Sequence, residues 1–407
     1  MKKIIFLFSL LIIGCSEDDL FVTPDDSSPN IINTLSPEPF IIYPSSFQTH
    51  EFNAGYFSLH TTKLPDNGKL IVGVTYVDFN NDGYADIIGK DENNPTVVKL
   101  YTNDGNNNYT VSELITENKQ NGMRSGMRKM ITADINNDGK LDILTGLAPD
   151  VENDPKGLFI LENKGNIFYE HSILSGNDDW MHTISTADIN NDGYVDVVPG
   201  GKDFVLMGNG DFTFEKKYLP NYIRRGTAIT EELIDLNNDG YVDILIGHHL
   251  GMWDNWTDDE YKNSVTIHYG TGDENLFTRG YVLESNYYGT NVTLDFSVID
   301  FDGDGDYDVF VNSNFDYGSK YVIQYHENVG YMNFVNKSND VFENECNLVI
   351  NHYDIDWIKF IDRDGDGKKE LMIEGANWDK TNAEYNQPKF NGFKLNSNNK
   401  FERVLLK

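Results

Sequence analysis

The chain is poor in cysteine and in basic residues. It has two cysteines, Cys15 and Cys346, among 407 residues, so its fold cannot depend on a network of disulfide bonds. It has 32 Lys and Arg residues against 65 Asp and Glu residues, which gives a formal net charge of −33 at pH 7. Nucleic-acid binding depends on Lys and Arg that meet phosphates, so this balance argues against a nucleic-acid partner. The apolar stretch at 4–13 is shorter than the roughly 20 residues of a membrane-spanning helix.

What the chain has in abundance is one acidic pattern, first seen at 78–86. Each copy has Asp at position 1, Asn or Asp at position 3, Asp at position 5, Gly at position 6 and an acid at position 9. The six copies begin at Asp78, Asp134, Asp188, Asp235, Asp300 and Asp362. Alternating oxygen-bearing side chains around a glycine are what a hard cation needs, and Ca²⁺ takes about 6 to 8 oxygen ligands. Positions 1, 3, 5 and 9 can supply side-chain oxygens, and position 7 a backbone carbonyl.

Two other interpretations of the pattern are weaker. Asn-Asp-Gly is also typical of a tight hairpin turn, but six copies that all keep the acid at position 9 favour a metal loop. An EF-hand loop requires a bidentate Glu at position 12. Position 12 is here Gly89, Thr145, Pro199, Ile246, Val311 and Ile373, and the flanking residues are typical of strands.

These residues resemble the FG-GAP or VCBS repeat, the calcium-loop repeat of integrin alpha-subunit propellers and of many bacterial surface proteins. The resemblance extends from about Leu70 to the C-terminus and implies up to six Ca²⁺ ions. The last copy departs from the pattern, with Glu370 at position 9 and Arg363, Lys368 and Lys369 nearby. Carried over by position, the implied ligands are Asp78, Asn80, Asp82, Tyr84, Asp86; Asp134, Asn136, Asp138, Lys140, Asp142; Asp188, Asn190, Asp192, Tyr194, Asp196; Asp235, Asn237, Asp239, Tyr241, Asp243; Asp300, Asp302, Asp304, Asp306, Asp308; and Asp362, Asp364, Asp366, Lys368, Glu370, where position 7 contributes its carbonyl.

The spacing of the copies predicts an all-β fold, a β-propeller. Successive copies start about 57 residues apart on average, a length that suits one four-stranded blade. Six copies predict six blades over residues 46–407, each with the acidic loop between its first and second strands. A seventh blade without a loop, formed by 40–74, is the alternative.

The N-terminus is typical of an exported protein. Residues 1–15 have a Lys2-Lys3 start, an apolar core at 4–13 and Cys15 at the end, which resembles the signal peptide of a bacterial lipoprotein that is lipidated at Cys15; an ordinary secretory signal is the alternative. The acidic residues 16–19 resemble the surface-export signal of Bacteroidetes lipoproteins. Residues 16–45 are rich in Pro, Ser and Asp, which indicates a flexible tether. This segment therefore predicts a lipid-anchored protein of the outer membrane or cell surface.

Aromatic and basic residues collect in other connections of the predicted blades. In a four-stranded blade, the connections between blades and between strands two and three lie opposite the acidic loops. These connections contain Arg124, Arg128, Trp180, His182, Tyr222, Arg224, Arg225, His248, Trp253, Trp256, Tyr287, His352 and Trp378. Any one Trp can instead pack between blades, and His248 can instead belong to a solvated turn. Together, these residues suit a sugar ring that carries an anion, because aromatic faces stack on rings and Arg binds planar anions.

Three functions remain open from the sequence. The favoured one is a surface-anchored binding protein that captures a glycan or an extracellular protein on that face, because the chain lacks the Gly-x-Ser-x-Gly, His-Glu-x-x-His and phosphate-loop motifs. The alternative is a polysaccharide lyase or hydrolase in which Arg, His and Tyr of the same face carry out acid-base chemistry. A purely structural role is a third possibility.

Overall fold

The computed structural model describes residues 51–52, 70–84, 86–91, 97–105, 108–114, 127–147, 157–165, 167–175, 181, 183–221, 223, 228–248, 265–278, 280–283, 292–315, 320–350, 357–361, 369–374 and 392–404. In these residues, the strands form six antiparallel sheets that follow one another along the chain. No helix in this part is long and apolar enough to cross a membrane. The targeting segment 1–15 with Cys15 and the tether 16–45 lie outside the described residues.

Each sheet is one blade with four strands in chain order. Blade 1 contains β2 (Leu70–Val77), β3 (Asp86–Asp91), β4 (Val98–Asn103) and β5 (Tyr109–Glu113), and the two-residue β1 (Glu51–Phe52) pairs with β2. Blade 2 contains β6 (Met127–Ala133), β7 (Asp142–Leu147), β8 (Gly157–Asn163) and β9 (Phe168–Ser175). Blade 3 contains β10 (Ile184–Ala187), β11 (Asp196–Pro199), β12 (Phe204–Gly208) and β13 (Phe214–Tyr218).

The C-terminal half repeats this order. Blade 4 contains β14 (Ala228–Ile234), β15 (Asp243–His248), β16 (Val265–His268) and β17 (Tyr281–Leu283). Blade 5 contains β18 (Val292–Ile299), β19 (Asp308–Phe315), β20 (Lys320–Asn328) and β21 (Phe334–Asn336), followed by α1 (Ser338–Val341) and β22 (Leu348–Ile350). Blade 6 contains β23 (Trp357–Ile361), β24 (Glu370–Glu374), β25 (Gly392–Leu395) and β26 (Phe401–Val404).

The six sheets form a ring, so the predicted β-propeller with six four-stranded blades is confirmed. Strand β1 pairs with β2 of blade 1 and also contacts β23 of blade 6. Every acidic copy lies between the first and second strands of its blade, as predicted. We call these segments loops 1 to 6: 78–86, 134–142, 188–196, 235–243, 300–308 and 362–370.

The hydrophobic core lies between the blades. Side chains alternate across a strand, so neighbouring residues of one strand reach two different interfaces. In β7, Ile143 packs with Val77 and Ile88 of blade 1, whereas Leu144 belongs to the cluster shared with blade 3. Blades 3 and 4, 4 and 5, and 5 and 6 share equivalent clusters. Because these interfaces hold the blades together, the loops at the strand ends are attached to a rigid scaffold.

Blade 5 departs from the regular pattern at its outer edge. The long strand β20 pairs with β21 at one end and with β22 at the other. The segment between β21 and β22 packs on blade 6: Phe342 is 2 % exposed and lies among aromatic rings that include Phe401. The Cys346 thiol donates to the Phe401 carbonyl (3.1 Å), and Arg403 Nε donates to the Cys346 carbonyl (2.8 Å). This insertion therefore fastens blade 5 to blade 6 without a disulfide, and Cys346 is a free thiol.

Candidate metal centre

The acidic loops share one face with the turns that join the third and fourth strands. In blade 1, the ring of Tyr84 at position 7 covers Gly105 in the β4–β5 turn, so closely that a Cβ on Gly105 would lie 2.4 Å from a ring carbon. Tyr194 covers Gly210 in blade 3, and Tyr241 covers Gly272 in blade 4. The position-7 tyrosines thus tie each of these loops to its neighbouring turn.

Position 1 shapes the loop through its carboxylate. In loop 3, the backbone N–H groups of Asp192 and Gly193 donate to the two oxygens of Asp188, at 3.0 and 2.8 Å. Loops 1, 2 and 4 have the same pair of bonds. In loop 5, the two donors are Gly303 and Gly305. Each carboxylate at position 1 therefore faces the inside of its turn.

Positions 3 and 5 add further oxygens to the inside of the turn. In loop 3, Asn190 Oδ1 accepts from the Asp192 N–H (3.0 Å), and Asp192 Oδ1 accepts from the Tyr194 N–H (2.9 Å). The Asn190 amide also donates to the second Asp192 oxygen (2.8 Å). Loops 1 and 4 repeat all three bonds.

The position-9 aspartate is buried and joins the loop to the third strand. Asp196 accepts from the Ile189 N–H (2.9 Å) within its loop and from the Gly208 N–H (2.8 Å) at the end of β12. Asp86, Asp142, Asp243 and Asp308 make the equivalent two bonds. The pKa of Asp142, Asp196, Asp243 and Asp308 is raised to about 7, mainly by burial; the two backbone hydrogen bonds oppose this rise, and other acids of the same loop contribute to it.

These loops fit a hard cation by the chemistry of their donors. In loop 5, Asp300, Asp302 and Asp304 each place one carboxylate oxygen within 4.8 Å of the others. Burial raises the pKa of Asp302, and the neighbouring Asp304, Glu327 and Asp300 raise it further. A bound divalent cation would offset this concentration of negative charge, and Ca²⁺ prefers oxygen ligands of this kind.

Loop 2 differs because it has Lys140 at position 7. The Lys140 ammonium lies 2.8 Å from Asp138 Oδ2, the oxygen whose counterparts in loops 1, 3 and 4 accept from the position-3 amide. This bond lowers the pKa of Asp138 and raises the pKa of Lys140, to which Asp142 and Asp134 also contribute. Loop 2 therefore contains a positively charged side chain next to its carboxylates.

Loop 6 is described only at its end. Glu370 is fully buried at the start of β24, and Lys394 Nζ on β25 lies 3.4 Å from its Oε1. The predicted ligands Asp362, Asp364, Asp366 and Lys368 lie outside the described residues.

The structure also reveals a contact that the sequence reasoning missed. The Asn137 amide of loop 2 donates to the Gly193 carbonyl of loop 3 (2.8 Å), and Asn191 of loop 3 donates to the Gly240 carbonyl of loop 4 (3.0 Å). Both asparagines are at position 4, with positive φ of 55° and 58°. Asn recurs at position 4 in four copies, which is the signal that could have suggested a role for this residue.

Most residues of the predicted ligand-binding face lie outside the described residues: Arg124, Trp180, His182, Tyr222, Arg224, Arg225, Trp253, Trp256, Tyr287, His352 and Trp378. Arg128 was predicted in a connection between blades, but it lies in strand β6.

His248 has a different position from the solvent-exposed loop considered above. It is the last residue of β15 and is 3 % exposed, with Nε2 at 3.0 Å from Thr266 Oγ1. Burial lowers the pKa of His248 to about 4, with a further contribution from His268. The His248 imidazole is therefore buried in the core, and the alternative of a solvated turn is wrong.

Comparison with known proteins supports the repeat. Residues 78–145, which contain loops 1 and 2, match the model of the FG-GAP-like repeat. The chain carries an FG-GAP-like repeat on a six-bladed propeller. No curated protein matches the sequence. Among solved structures, the chain is similar to the V. cholerae biofilm matrix protein Bap1, with 12 % identity over 77 % of this chain and 68 % of that chain and a TM-score of 0.34. A likeness this distant does not indicate a function.

Proposed function

We propose that this FG-GAP-like propeller is an exported, surface-anchored binding protein in which Ca²⁺ in the acidic loops holds the blades and the opposite face captures a glycan or an extracellular protein. The observation that carries the proposal is the arrangement of loops 1 to 5. Each turns its oxygens inward through backbone hydrogen bonds, and each is attached through position 9 to the third strand of its blade. The oxygens of such loops are preorganised for a cation.

The calcium in this proposal has a structural role. When bound, it supplies positive charge among carboxylates that otherwise repel one another. The ligands would be the oxygens at positions 1, 3, 5 and 9 and the carbonyl at position 7. Because loops 2, 3 and 4 are hydrogen-bonded to one another, an ion in one loop also stabilises contacts between blades.

The ligand-binding face follows from the direction of the first strands. Strands β6, β10 and β14 end at loops 2, 3 and 4, so they begin at the other face of the ring. The segments that lead into them carry Arg124, Trp180, His182, Tyr222, Arg224 and Arg225. Aromatic rings and guanidinium groups next to a rigid scaffold suit a ring-shaped or anionic ligand. A lipid on Cys15 would anchor the propeller to the outer membrane through the tether 16–45.

Removal of calcium tests the structural part of the proposal. Thermal unfolding of the purified protein should shift upward when Ca²⁺ is added after exhaustive chelation. A site at a hundredfold excess of Ca²⁺ over its Kd stabilises the folded state by about 2.7 kcal/mol. Mg²⁺ at the same concentration is the control, since it demands a smaller octahedral site. An unchanged melting temperature in Ca²⁺ and in chelator would show that the loops have no structural metal.

A glycan array tests the ligand-binding part. The purified protein is applied to acidic and neutral glycans, with Ca²⁺ and with chelator, and scored for retention and for cleaved product. We expect retention on acidic glycans that is lost in Arg224→Ala and Trp180→Ala. The matched control is Tyr331→Ala, a fully exposed side chain in the turn between β20 and β21, on the face of the acidic loops. New reducing or unsaturated ends would replace binding with catalysis as the function, and no retention on any glycan would leave only a protein as the ligand.

A further inference from the structure

Lys140 distinguishes loop 2 from the other described loops. Loops 1, 3 and 4 have three carboxylates and a tyrosine at position 7, and loop 5 has five carboxylates. Loop 2 has three carboxylates and the ammonium of Lys140, which is paired with Asp138 at 2.8 Å. Asp138 is at position 5, where the calcium proposal requires a free oxygen.

We propose that Lys140 is a built-in competitor for the cation of loop 2 and makes this loop a weaker calcium site than loops 1, 3, 4 and 5. The inference rests on the proposed calcium binding and adds an order of affinities to it. To bind Ca²⁺ through Asp138, loop 2 must first release the ammonium, and Lys140 then remains close to a divalent cation. Both effects lower the affinity of loop 2. In loops 1, 3 and 4, the corresponding oxygen accepts from the uncharged amide at position 3, so a bound ion displaces no ammonium and has no lysine beside it.

The turn next to loop 2 has room for an uncharged side chain at position 140. In blades 1, 3 and 4, a tyrosine ring at position 7 covers the glycine of the neighbouring turn. The equivalent glycine in blade 2 is Gly165, and among the described residues nothing lies within 4 Å of the point where its Cβ would be. Lys140 thus leaves this space open. A tyrosine at position 140 would fit there as Tyr84, Tyr194 and Tyr241 do in their blades.

Because this space is open, variants at position 140 can change the charge of the side chain without a steric clash. Lys140→Ala removes the charge, and Lys140→Tyr converts loop 2 to the type of loops 1, 3 and 4. Lys140→Arg keeps the charge. Lys164→Ala is the matched control, because Lys164 is in the same blade, is equally exposed and pairs with Glu162, which is not part of a loop. Lys140 is 45 % exposed, so these changes leave the core intact, and thermal unfolding in chelator verifies that each variant folds.

The experiment measures bound Ca²⁺ on the full chain by native mass spectrometry and calorimetry in calcium buffers of fixed free concentration. For Lys140→Ala and Lys140→Tyr, we expect the weakest binding step to tighten about fivefold, the factor given by an exposed ion pair at the upper end of its range. Lys140→Arg and Lys164→Ala should bind as the unmodified protein does. If all five proteins bind Ca²⁺ with the same affinities, Lys140 is not a competitor and only this inference fails. If none of them binds Ca²⁺, the proposed calcium function fails with it.

Discussion

The side-chain amide of Asn191 in loop 3 donates a hydrogen bond to the backbone carbonyl of Gly240 in loop 4, with 3.0 Å between the two atoms. Gly240 directly precedes Tyr241, whose carbonyl would be a ligand of loop 4. The bond therefore joins two adjacent blades at the point where the cation sites are formed. Asn191 has a φ of 58°, a conformation that Asn and Gly adopt at little cost.

Loss of this contact should weaken the protein by a small, measurable amount. We expect Asn191→Gly to lower the free energy of unfolding by about 1 kcal/mol, the net value of one hydrogen bond, in urea denaturation with chelator. Glycine keeps the positive φ and removes the side chain with its amide, and the control below makes the same change. The control is Asn81→Gly in loop 1: its φ is 59°, and its amide makes no hydrogen bond among the described residues. Equal effects of the two changes would contradict a role for the bond between loops.

The tyrosine that covers Gly210 should make this glycine harder to replace than Gly165. Both have positive φ, 74° and 96°, but a Cβ on Gly210 would lie 2.3 Å from the Tyr194 ring, whereas the space at Gly165 is open. Alanine at positive φ costs about 1 kcal/mol in either place. We expect Gly210→Ala to cost clearly more than Gly165→Ala in urea denaturation, and the excess to disappear in the double variant with Tyr194→Ala. An excess that persists in the double variant would show that the ring is not its cause.

The insertion of blade 5 should be essential for stability because of Phe342. This residue is 2 % exposed, and the centroid of its ring lies 5.4 Å from that of Phe401 and 5.6 Å from that of Phe393, both in blade 6. We expect Phe342→Ala to cost about 3 to 5 kcal/mol, as is usual for a buried aromatic residue. Tyr331→Ala, at a fully exposed ring of the same blade, should change the unfolding free energy by less than about 0.5 kcal/mol. A small effect of Phe342→Ala would mean that blade 6 holds its place without the insertion.

Buried histidines should make the protein less stable in acid. Burial lowers the pKa of His326 to about 4, below the ordinary value of about 6.5 in the unfolded chain. The unfolded state therefore binds the proton first, and the contribution of His326 to stability is complete above pH 6.5 and is lost as the pH falls toward 4.

His326→Gln removes this one titration. Between pH 6.5 and 4, we expect the unfolding free energy of the unmodified protein to fall more than that of the variant, by about 1.4 kcal/mol for each unit of the pKa difference. The acidic loops titrate in both proteins, so their contribution cancels in the comparison. A parallel pH dependence of the two proteins would show that the pKa of His326 is the same in the folded and the unfolded state.

The acidic loops were predictable because their signal is local. A nine-residue pattern contains its own turn residues and its own oxygens, and the structure places every copy between the first and second strands of its blade. The partners of these loops were not predictable. The contacts of Asp196 with Gly208, of Tyr194 with Gly210 and of Asn191 with Gly240 join residues whose separation along the chain does not indicate that they meet.

The sequence by itself determined the repeat and the oxygen-bearing side chains of each loop, because these follow from the order of residues within short segments. The structure decided between six blades and the alternative of seven. Tertiary structure alone decided which neighbours complete each site. Packing of one blade against the next buried the position-9 aspartates and raised their pKa, and it placed His248 in the core. It also brought Phe342 onto blade 6. It aligned loops 2, 3 and 4 so that Asn137 and Asn191 each donate a hydrogen bond to the next loop. These properties depend on burial and on distances between blades, which no single segment of the chain contains.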